Sequence, residues 1–182
     1  LEPAARIVDQ RAAARQQAGT VPVDDRLQGR IEQRLESELG DFIIRRRDGL
    51  VAYQLAVVID DDADGITDVV RGIDLLDSTP RQIHLQRLLG LSTPTYMHIP
   101  IAVDPAGEKL SKQTGAPGLD PDRGGAVMTE VLRFLGLAPD DALRGAPPAE
   151  QLAWAASRWD VEALRGLGNR YAPASGALAA AQ

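Results

Sequence analysis

Cysteine is absent from this chain of 182 residues. That excludes disulfides and thiolate metal sites, and it fits a reducing compartment. Histidine is nearly absent, with only His84 and His98. Two isolated histidines make neither a metal cluster nor a triad, and no Ser/His/Asp grouping stands out. Lysine is equally scarce: Lys109 and Lys112 are the only two, beside eighteen arginines. No apolar run approaches the length of a membrane span. A net charge of −6 gives no general affinity for nucleic acid, so such a partner needs a local basic patch.

What is present suits a globular protein. A hydrophobic fraction of 44% against 25% charged residues is enough to bury a core in one domain, or one and a half. The chain opens Leu1-Glu2-Pro3 rather than on Met, and it reads as a piece of something longer.

Residues 1–20 hold Arg6, Arg11 and Arg15 among alanines, which suits a solvated helix or a disordered arm. Residues 21–40 are a polar stretch ending at Gly40. Residues 41–47 read as a strand, and Asp48-Gly49 as a tight turn. Residues 50–59 are apolar almost throughout and fit a buried strand or a buried helix equally. An acidic stretch follows (Asp60, Asp61, Asp62, Asp64, Asp68), and 66–70 read as a short buried strand ending at Arg71-Gly72. Ser78 or Thr79 caps a helix with Pro80 at its start, Ile83, Leu85, Leu88 and Leu89 as apolar positions, and Gly90 as its stop. Residues 96–103 read as a strand and Asp104-Pro105-Ala106-Gly107 as a turn. Further helices are expected over 124–137, with Val127, Val131 and Leu135 on one face, and after Pro147-Pro148, carrying Leu152, Trp154, Ala155 and Trp159. Residues 171–182 read as a frayed tail. Strands alternating with helices predict an α/β fold with a parallel-type sheet.

Four features carry candidate chemistry. Lys109 and Lys112 fall in one segment, Lys109-Leu110-Ser111-Lys112-Gln113, just after a strand and a turn. Ligands of open α/β sheets bind there, and a mobile lysine can follow charge that builds on a phosphate. It is not a Walker-type loop, whose glycine pattern is missing. Arg71 ends an apolar strand, where a charge must be paired. Its partner is either a nearby aspartate or a ligand carboxylate gripped by both prongs of the guanidinium. Tyr53 either satisfies a core hydrogen bond or faces a ligand. The Asp60–Asp64 cluster lacks the spacing of a calcium loop and reads as a solvated acidic turn. Arg45-Arg46-Arg47 is the densest basic patch and the best candidate for contact with a phosphate backbone.

Three segments carry a family resemblance. They are Asp41-Phe42-Ile43-Ile44-Arg45-Arg46-Arg47-Asp48-Gly49 with Ala52-Tyr53-Gln54-Leu55-Ala56-Val57-Val58, then Val70-Arg71-Gly72-Ile73-Asp74-Leu75-Leu76-Asp77-Ser78-Thr79-Pro80-Arg81-Gln82, then the lysine segment. In that order they resemble the glutamyl-tRNA synthetase group of class I, over roughly residues 22–160. Within the group they look most like the shorter paralogous branch, the glutamyl-queuosine tRNA(Asp) synthetases. Gln113 stands where discriminating synthetases usually have Arg. About seventy residues follow Lys112, too few for a large anticodon-binding domain. Leu132-Arg133-Phe134-Leu135-Gly136 and Leu152-Ala153-Trp154-Ala155 look like that branch's helical tail.

The resemblance implies an α/β fold: part of a class I Rossmann-type catalytic domain followed by a small α-helical subdomain. The expected boundaries are an arm over 1–20, the catalytic portion over 21–118 and helical residues over 119–182. It implies a cytoplasmic ligase that activates L-glutamate with ATP and Mg, then passes it to queuosine in tRNA(Asp), as a monomer when complete. By the same resemblance Tyr53 and Arg71 bind glutamate, Lys112 binds ATP and steadies the transition state, and Lys109 assists. Residues 1–20 do not resemble the group's preceding region. The group's HIGH-like element is absent, as are the cysteines and tyrosine of its zinc insertion, so this chain supports no zinc site. It is therefore expected not to form the adenylate alone, which exchange of pyrophosphate into ATP by the 182-residue chain would refute. The other readings are a fragment of a synthetase that charges tRNA(Glu), and a catalytically dead truncated paralogue that binds tRNA or a partner.

Overall fold

The computed structural model describes residues 19–104, 106–111, 118, 120–165 and 170–171. The chain divides into two compact units, residues 1–98 and residues 99–182.

In the first unit the polar stretch after residue 20 folds as a β-hairpin. β1 (Thr20–Asp25) and β2 (Gly29–Arg34) run antiparallel, with Val21 opposite Gln33 and Val23 opposite Ile31. Val21 and Val23 alternate with more exposed neighbours, so one face of β1 turns inward. The hairpin is faint in the sequence because β2 carries a single apolar side chain, Ile31. A π-helical turn, Leu35–Leu39, follows. The sheet has the order β2-β1-β4-β3, where β3 is Asp68–Gly72 and β4 is Thr95–Ile99. β1 runs parallel to β4, with Asp25 beside Tyr96. The sheet is thus mixed rather than parallel throughout, within the expected α/β class.

Two expected strands differ. Residues 41–47 form none: Arg45 makes only an isolated antiparallel bridge to Val51. Only Phe42 and Ile44 of this stretch reach the core, too little apolar face for a ladder. The turn at Asp48-Gly49 does form, with Gly49 at φ +85. The strand expected over 66–70 begins at Asp68 and lies at a sheet edge. Val69 packs on the core, whereas Val70 is 54% exposed.

The apolar run after residue 50 is a helix, α1 (Tyr53–Ala63), with Leu55 and Val58 buried at i, i+3 spacing. The aspartates Asp60, Asp61 and Asp62 belong to its last turns. The next helix, α2 (Thr79–Leu89), has Pro80 in its first turn and ends at Gly90 in the left-handed region, as its sequence predicts. It is covered on two sides. Ile83 packs with Val21, Val23, Leu35 and Tyr96, while Leu85 packs with Leu55 and Val58. Yet Thr79, Gln82 and Gln86 are buried in the same helix. At i, i+3, i+7 they form one polar stripe inside an apolar setting.

In the second unit, the strand expected over 96–103 is interrupted. β4 stops at Ile99, before Pro100, which has no N–H to donate to a ladder. β5 (Ala102–Val103) instead pairs in parallel with β6 (Arg170–Tyr171). α3 (Gly124–Phe134) stops before residue 137, because Gly136 turns to φ +84 and the Leu137 N–H bonds the Leu132 carbonyl at 2.9 Å. Val127, Thr129 and Leu132 form its buried side; Val131 and Leu135 are only half-buried. α4 (Pro148–Ala156) buries Gln151 and Ala155, whereas Leu152 is exposed and Trp159 lies exposed beyond the helix.

Gln151 ties α4 to α3. Its Nε2 donates to the carbonyls of Gly125 (2.8 Å) and Ala146 (2.9 Å), and its Oε1 accepts from the Thr129 hydroxyl at 3.0 Å. The approach depends on Gly125, where a Cβ would lie 2.6 Å from the Ala146 carbonyl oxygen. Gly125→Ala is therefore expected to cost about 1–3 kcal/mol in urea unfolding, while Gly145→Ala, which meets open space, changes little. Coincident unfolding curves for the two variants would show that the 146 turn yields without strain.

Candidate functional site

The parallel pairing of β1 with β4 brings the end of β1 against His98. Asp25 Oδ1 accepts the backbone N–H of Leu27 (2.9 Å) and of Gln28 (2.8 Å). Its Oδ2 accepts the backbone N–H of His98 (3.1 Å) and faces His98 Nδ1 at 2.6 Å. Both side chains are fully buried. Burial by itself would raise the Asp25 pKa. The Gln28 N–H, the imidazole, and the N–H groups of Leu27 and His98 outweigh it and hold the carboxyl below its usual value. Burial, aided by the Arg71 charge, lowers the His98 pKa despite the pull of Asp25. The pair is thus an ionised carboxylate and a neutral imidazole with its proton on Nδ1.

That tautomer leaves Nε2 bare, and Arg71 uses it. The Arg71 Nε donates to His98 Nε2 at 3.0 Å. Its Nη2 donates to the Thr79 hydroxyl (2.8 Å) and Gln82 Oε1 (2.7 Å), with the Leu75 carbonyl farther off at 3.4 Å. The guanidinium carbon lies over the Tyr96 ring, 5.4 Å from its centre. Arg71 makes no ion pair among the described residues, so the aspartate partner considered from sequence does not appear. Asp61 feels its charge without touching it. Nε and Nη2 are spent inside the protein. Nη1 has no hydrogen bond among the described residues, so its two N–H groups are what a ligand can meet. A grip through both terminal nitrogens would need Thr79 or Gln82 to yield.

The polar stripe of α2 carries the network onward. Gln82 accepts from Arg71, which fixes its amide so that Nε2 donates to Gln54 Oε1 at 2.9 Å. Gln54 then donates to the Ser78 hydroxyl at 3.0 Å. Gln54 follows Tyr53 in the first turn of α1, so Arg71 and the start of that helix belong to one hydrogen-bonded set. Tyr53 itself is 50% exposed, which removes the buried-core alternative for its hydroxyl. Gln86, one turn past Gln82, donates to the Tyr96 hydroxyl at 3.0 Å.

Asp25, His98 and Thr79 stand in the order carboxylate–imidazole–hydroxyl, with Thr79 Oγ1 3.1 Å from Nε2. Sequence alone gave no such grouping. Thr79 is fully buried and already accepts from Arg71, so the array orients a cation and offers no nucleophile to a substrate. A signal was present, since a histidine in the apolar strand Tyr96-Met97-His98-Ile99 must be satisfied somewhere.

The lysine segment belongs to the second unit. Asp104 builds the turn before it, its Oδ1 accepting the N–H groups of Ala106 and Glu108 at 2.9 Å each, while Gly107 takes φ +86. Lys109 then bridges to Val103 in antiparallel fashion, with its side chain exposed. Lys112 and Gln113 lie outside the described residues, as do Pro105 and most of the expected N-terminal arm and C-terminal tail. Arg45 and Arg46 are engaged by their own turn, Arg45 Nε with the Gly49 carbonyl (3.2 Å) and Arg46 with Asp48 (2.8 Å). Among the described residues no group of three or more His, Asp and Glu side chains is arranged to hold a metal ion. No described helix is long and apolar enough to cross a membrane.

Residues 9–120 match the family model of tRNA synthetases class I (E and Q), catalytic domain. The match begins inside the arm that the sequence reading had set apart from the family. The chain is 57% identical over 141 residues to a glutamyl-Q tRNA(Asp) synthetase of Methylococcus capsulatus, covering 78% of this chain and 47% of that protein. It is 56% identical over 137 residues to the glutamyl-Q tRNA(Asp) synthetase of Ectopseudomonas mendocina, covering 75% and 47%. It spans about half the length of these curated relatives. The fold is similar to a glutamate tRNA ligase from Elizabethkingia meningosepticum, with a TM-score of 0.61, 23% identity, and coverage of 84% of this chain and 34% of that one.

Proposed function

Since the chain belongs to the class I tRNA synthetases for glutamate and glutamine, we propose that it carries the glutamate-recognising part of an enzyme that glutamylates queuosine in tRNA(Asp). The observation that carries this reading is the state of Arg71. A full positive charge sits in a cradle of neutral partners, with Nη1 making no hydrogen bond among the described residues. A cation held in a polar recess that makes no ion pair among the described residues suits an anionic ligand, and glutamate is one. Tyr53, half exposed at the start of α1, is the second glutamate contact. The names and identities of the relatives support queuosine-bearing tRNA(Asp) as acceptor.

In this reading the α-carboxylate of glutamate attacks the α-phosphate of ATP, which arrives with Mg. The P–O bond to pyrophosphate breaks, and glutamyl-adenylate forms. A hydroxyl of the queuosine cyclopentenediol then takes the glutamyl group and AMP leaves. Lys112 holds ATP and offsets the charge of the pentacoordinate phosphorus, and Lys109 assists; the protein's part is positioning and electrostatics. The synthetase portion runs over 21–118, and α3 and α4 beyond it belong to a small C-terminal subdomain. The setting is the cytoplasm.

The test is glutamylation of three acceptors by the full-length protein: tRNA(Asp) with queuosine, tRNA(Asp) without it, and tRNA(Glu). Only the first should be labelled, and preference for tRNA(Glu) would overturn the reading. Lys112→Ala should slow glutamate-dependent pyrophosphate exchange by roughly a hundred- to a thousand-fold, with little change in the KM for glutamate.

A further inference from the structure

We propose that His98, set by Asp25, is a positioning residue that aims Arg71 at the carboxylate of the amino-acid substrate. This rests on the reading of Arg71 as a glutamate ligand.

Arg71 is a long side chain on an edge strand, and its guanidinium has a wide arc to explore. Three neutral acceptors stop it. Thr79 and Gln82 hold Nη2 from α2, and His98 holds Nε from β4. With Nε and Nη2 both fixed, the plane of the guanidinium is fixed, and so is the direction of Nη1. His98 is the only one of the three whose acceptor depends on a proton. An imidazole with Nε2 protonated would set one N–H against another at 3.0 Å and release Arg71. Asp25 prevents this by holding the proton on Nδ1 at 2.6 Å, while its own orientation is locked by the N–H groups of Leu27, Gln28 and His98. No substrate touches Asp25 or His98, since both are fully buried. Their effect reaches the ligand through Arg71.

The same arrangement sets an acid limit on glutamate binding. The charged groups around His98 are Asp25 at the end of β1, Arg71 from β3 and Asp74 just after β3, while Tyr96 stacks beside it on β4 with ring centres 6.1 Å apart. From α2 the facing group is the neutral Thr79 hydroxyl. Because the pKa of His98 is lowered from the ordinary 6.5, the neutral form persists below that value. Arg71 loses its acceptor only as pH falls through that lowered value. Glutamate affinity should decline in the same interval.

Two substitutions separate positioning from packing. His98→Gln can place an amide oxygen where Nε2 was, whereas His98→Asn can donate to Asp25 but offers Arg71 nothing. In the full-length protein His98→Asn should raise the KM for glutamate roughly ten- to a hundred-fold with a smaller change in kcat, and His98→Gln should raise it less. Binding to His98→Gln should also lose its acid limit. Equal KM values for Asn, Gln and wild type would overturn the proposal. A second measurement needs no variant. Imidazole nitrogen NMR of the unsubstituted protein should show His98 protonated at Nδ1 and bare at Nε2, and its titration should coincide with the fall in glutamate affinity. An Nε2-protonated ring, or titration with unchanged affinity, would equally overturn it. Arg71→Ala distinguishes the two levels: unchanged glutamate affinity there removes the glutamate reading itself, whereas lost affinity with a silent His98→Asn removes only the positioning role.

Discussion

Arg71→Ala should weaken glutamate binding by a factor of roughly thirty to several thousand, the range expected when one partner of a desolvated, hydrogen-bonded charge pair is truncated. Two losses combine. The ligand carboxylate loses the N–H groups of Nη1, and the protein loses the donor that satisfies His98 Nε2, Thr79 Oγ1 and Gln82 Oε1 together. The second loss is a folding cost. Urea unfolding of the same variant should therefore show a lower midpoint, but with the protein still folded at neutral pH. Arg71→Lys is a sharper probe. An ammonium keeps the charge but cannot serve His98, α2 and a ligand from one rigid plane. Its KM for glutamate should lie well above wild type. Full retention of affinity in Arg71→Ala, measured by equilibrium binding, would leave Arg71 with a structural role alone.

Asp25→Ala should produce the largest fall in stability among single substitutions at the site, about 3–5 kcal/mol, comparable to removing one member of a buried charged pair. It strands the buried N–H groups of Leu27 and His98 and the imidazole Nδ1–H, together with the partly buried N–H of Gln28. Against a total of roughly 5–15 kcal/mol for an ordinary domain, that is a substantial fraction. Asp25→Asn should be gentler on stability yet hard on binding. Its amide can keep the Leu27 and Gln28 bonds, but turns an N–H toward Nδ1, so the ring is driven to the tautomer that opposes Arg71. Acid adds an independent check. A carboxyl whose folded pKa lies below 3.8 contributes stability that is complete above 3.8 and is lost as pH falls through the folded value. Wild-type stability should drop in that interval, and the Asp25→Asn variant should lack this component. Unchanged acid unfolding would mean that Asp25 is not ionised in the fold.

Much of the architecture was legible in local chemistry. Pro80 and Gly90 bracket α2 because one suits a first turn and the other a left-handed stop, and both signals act within a few residues. The turn at Asp48-Gly49 has the same local origin. What was hidden depends on distance along the chain. β2 is nearly devoid of apolar residues and is a strand because β1 lies beside it. Residues 41–47 look like a strand but have no partner to make a ladder. Tyr53 and Arg71 were singled out by their chemistry and by motif resemblance, yet the residues that hold Arg71 were not. His98 is twenty-seven positions from Arg71, and Asp25 is seventy-three from His98. No periodicity links them, because what joins them is a strand order in which β1 and β4 are neighbours. Gln82 and Gln86 carry no apolar signal of burial, and only a helix packed on two sides turns them into an internal stripe.

The hydrogen bonds around Arg71 also have a direction. Arginine can only donate, so one branch runs from it through His98 to Asp25, and another through Gln82 and Gln54 to Ser78. In ice or in a ring of waters, each such chain can reverse, and the coexistence of both senses is a residual disorder. Here a permanent donor at the source and an ionised acceptor at one sink forbid the reversal. Only the hydroxyls keep a choice: that of Thr79 can point to the Leu75 carbonyl or to His98, and that of Ser78 ends its branch with a proton free to turn. The protons of the recess are thus sorted when the chain folds, and a ligand arriving at Nη1 finds almost none left to rearrange.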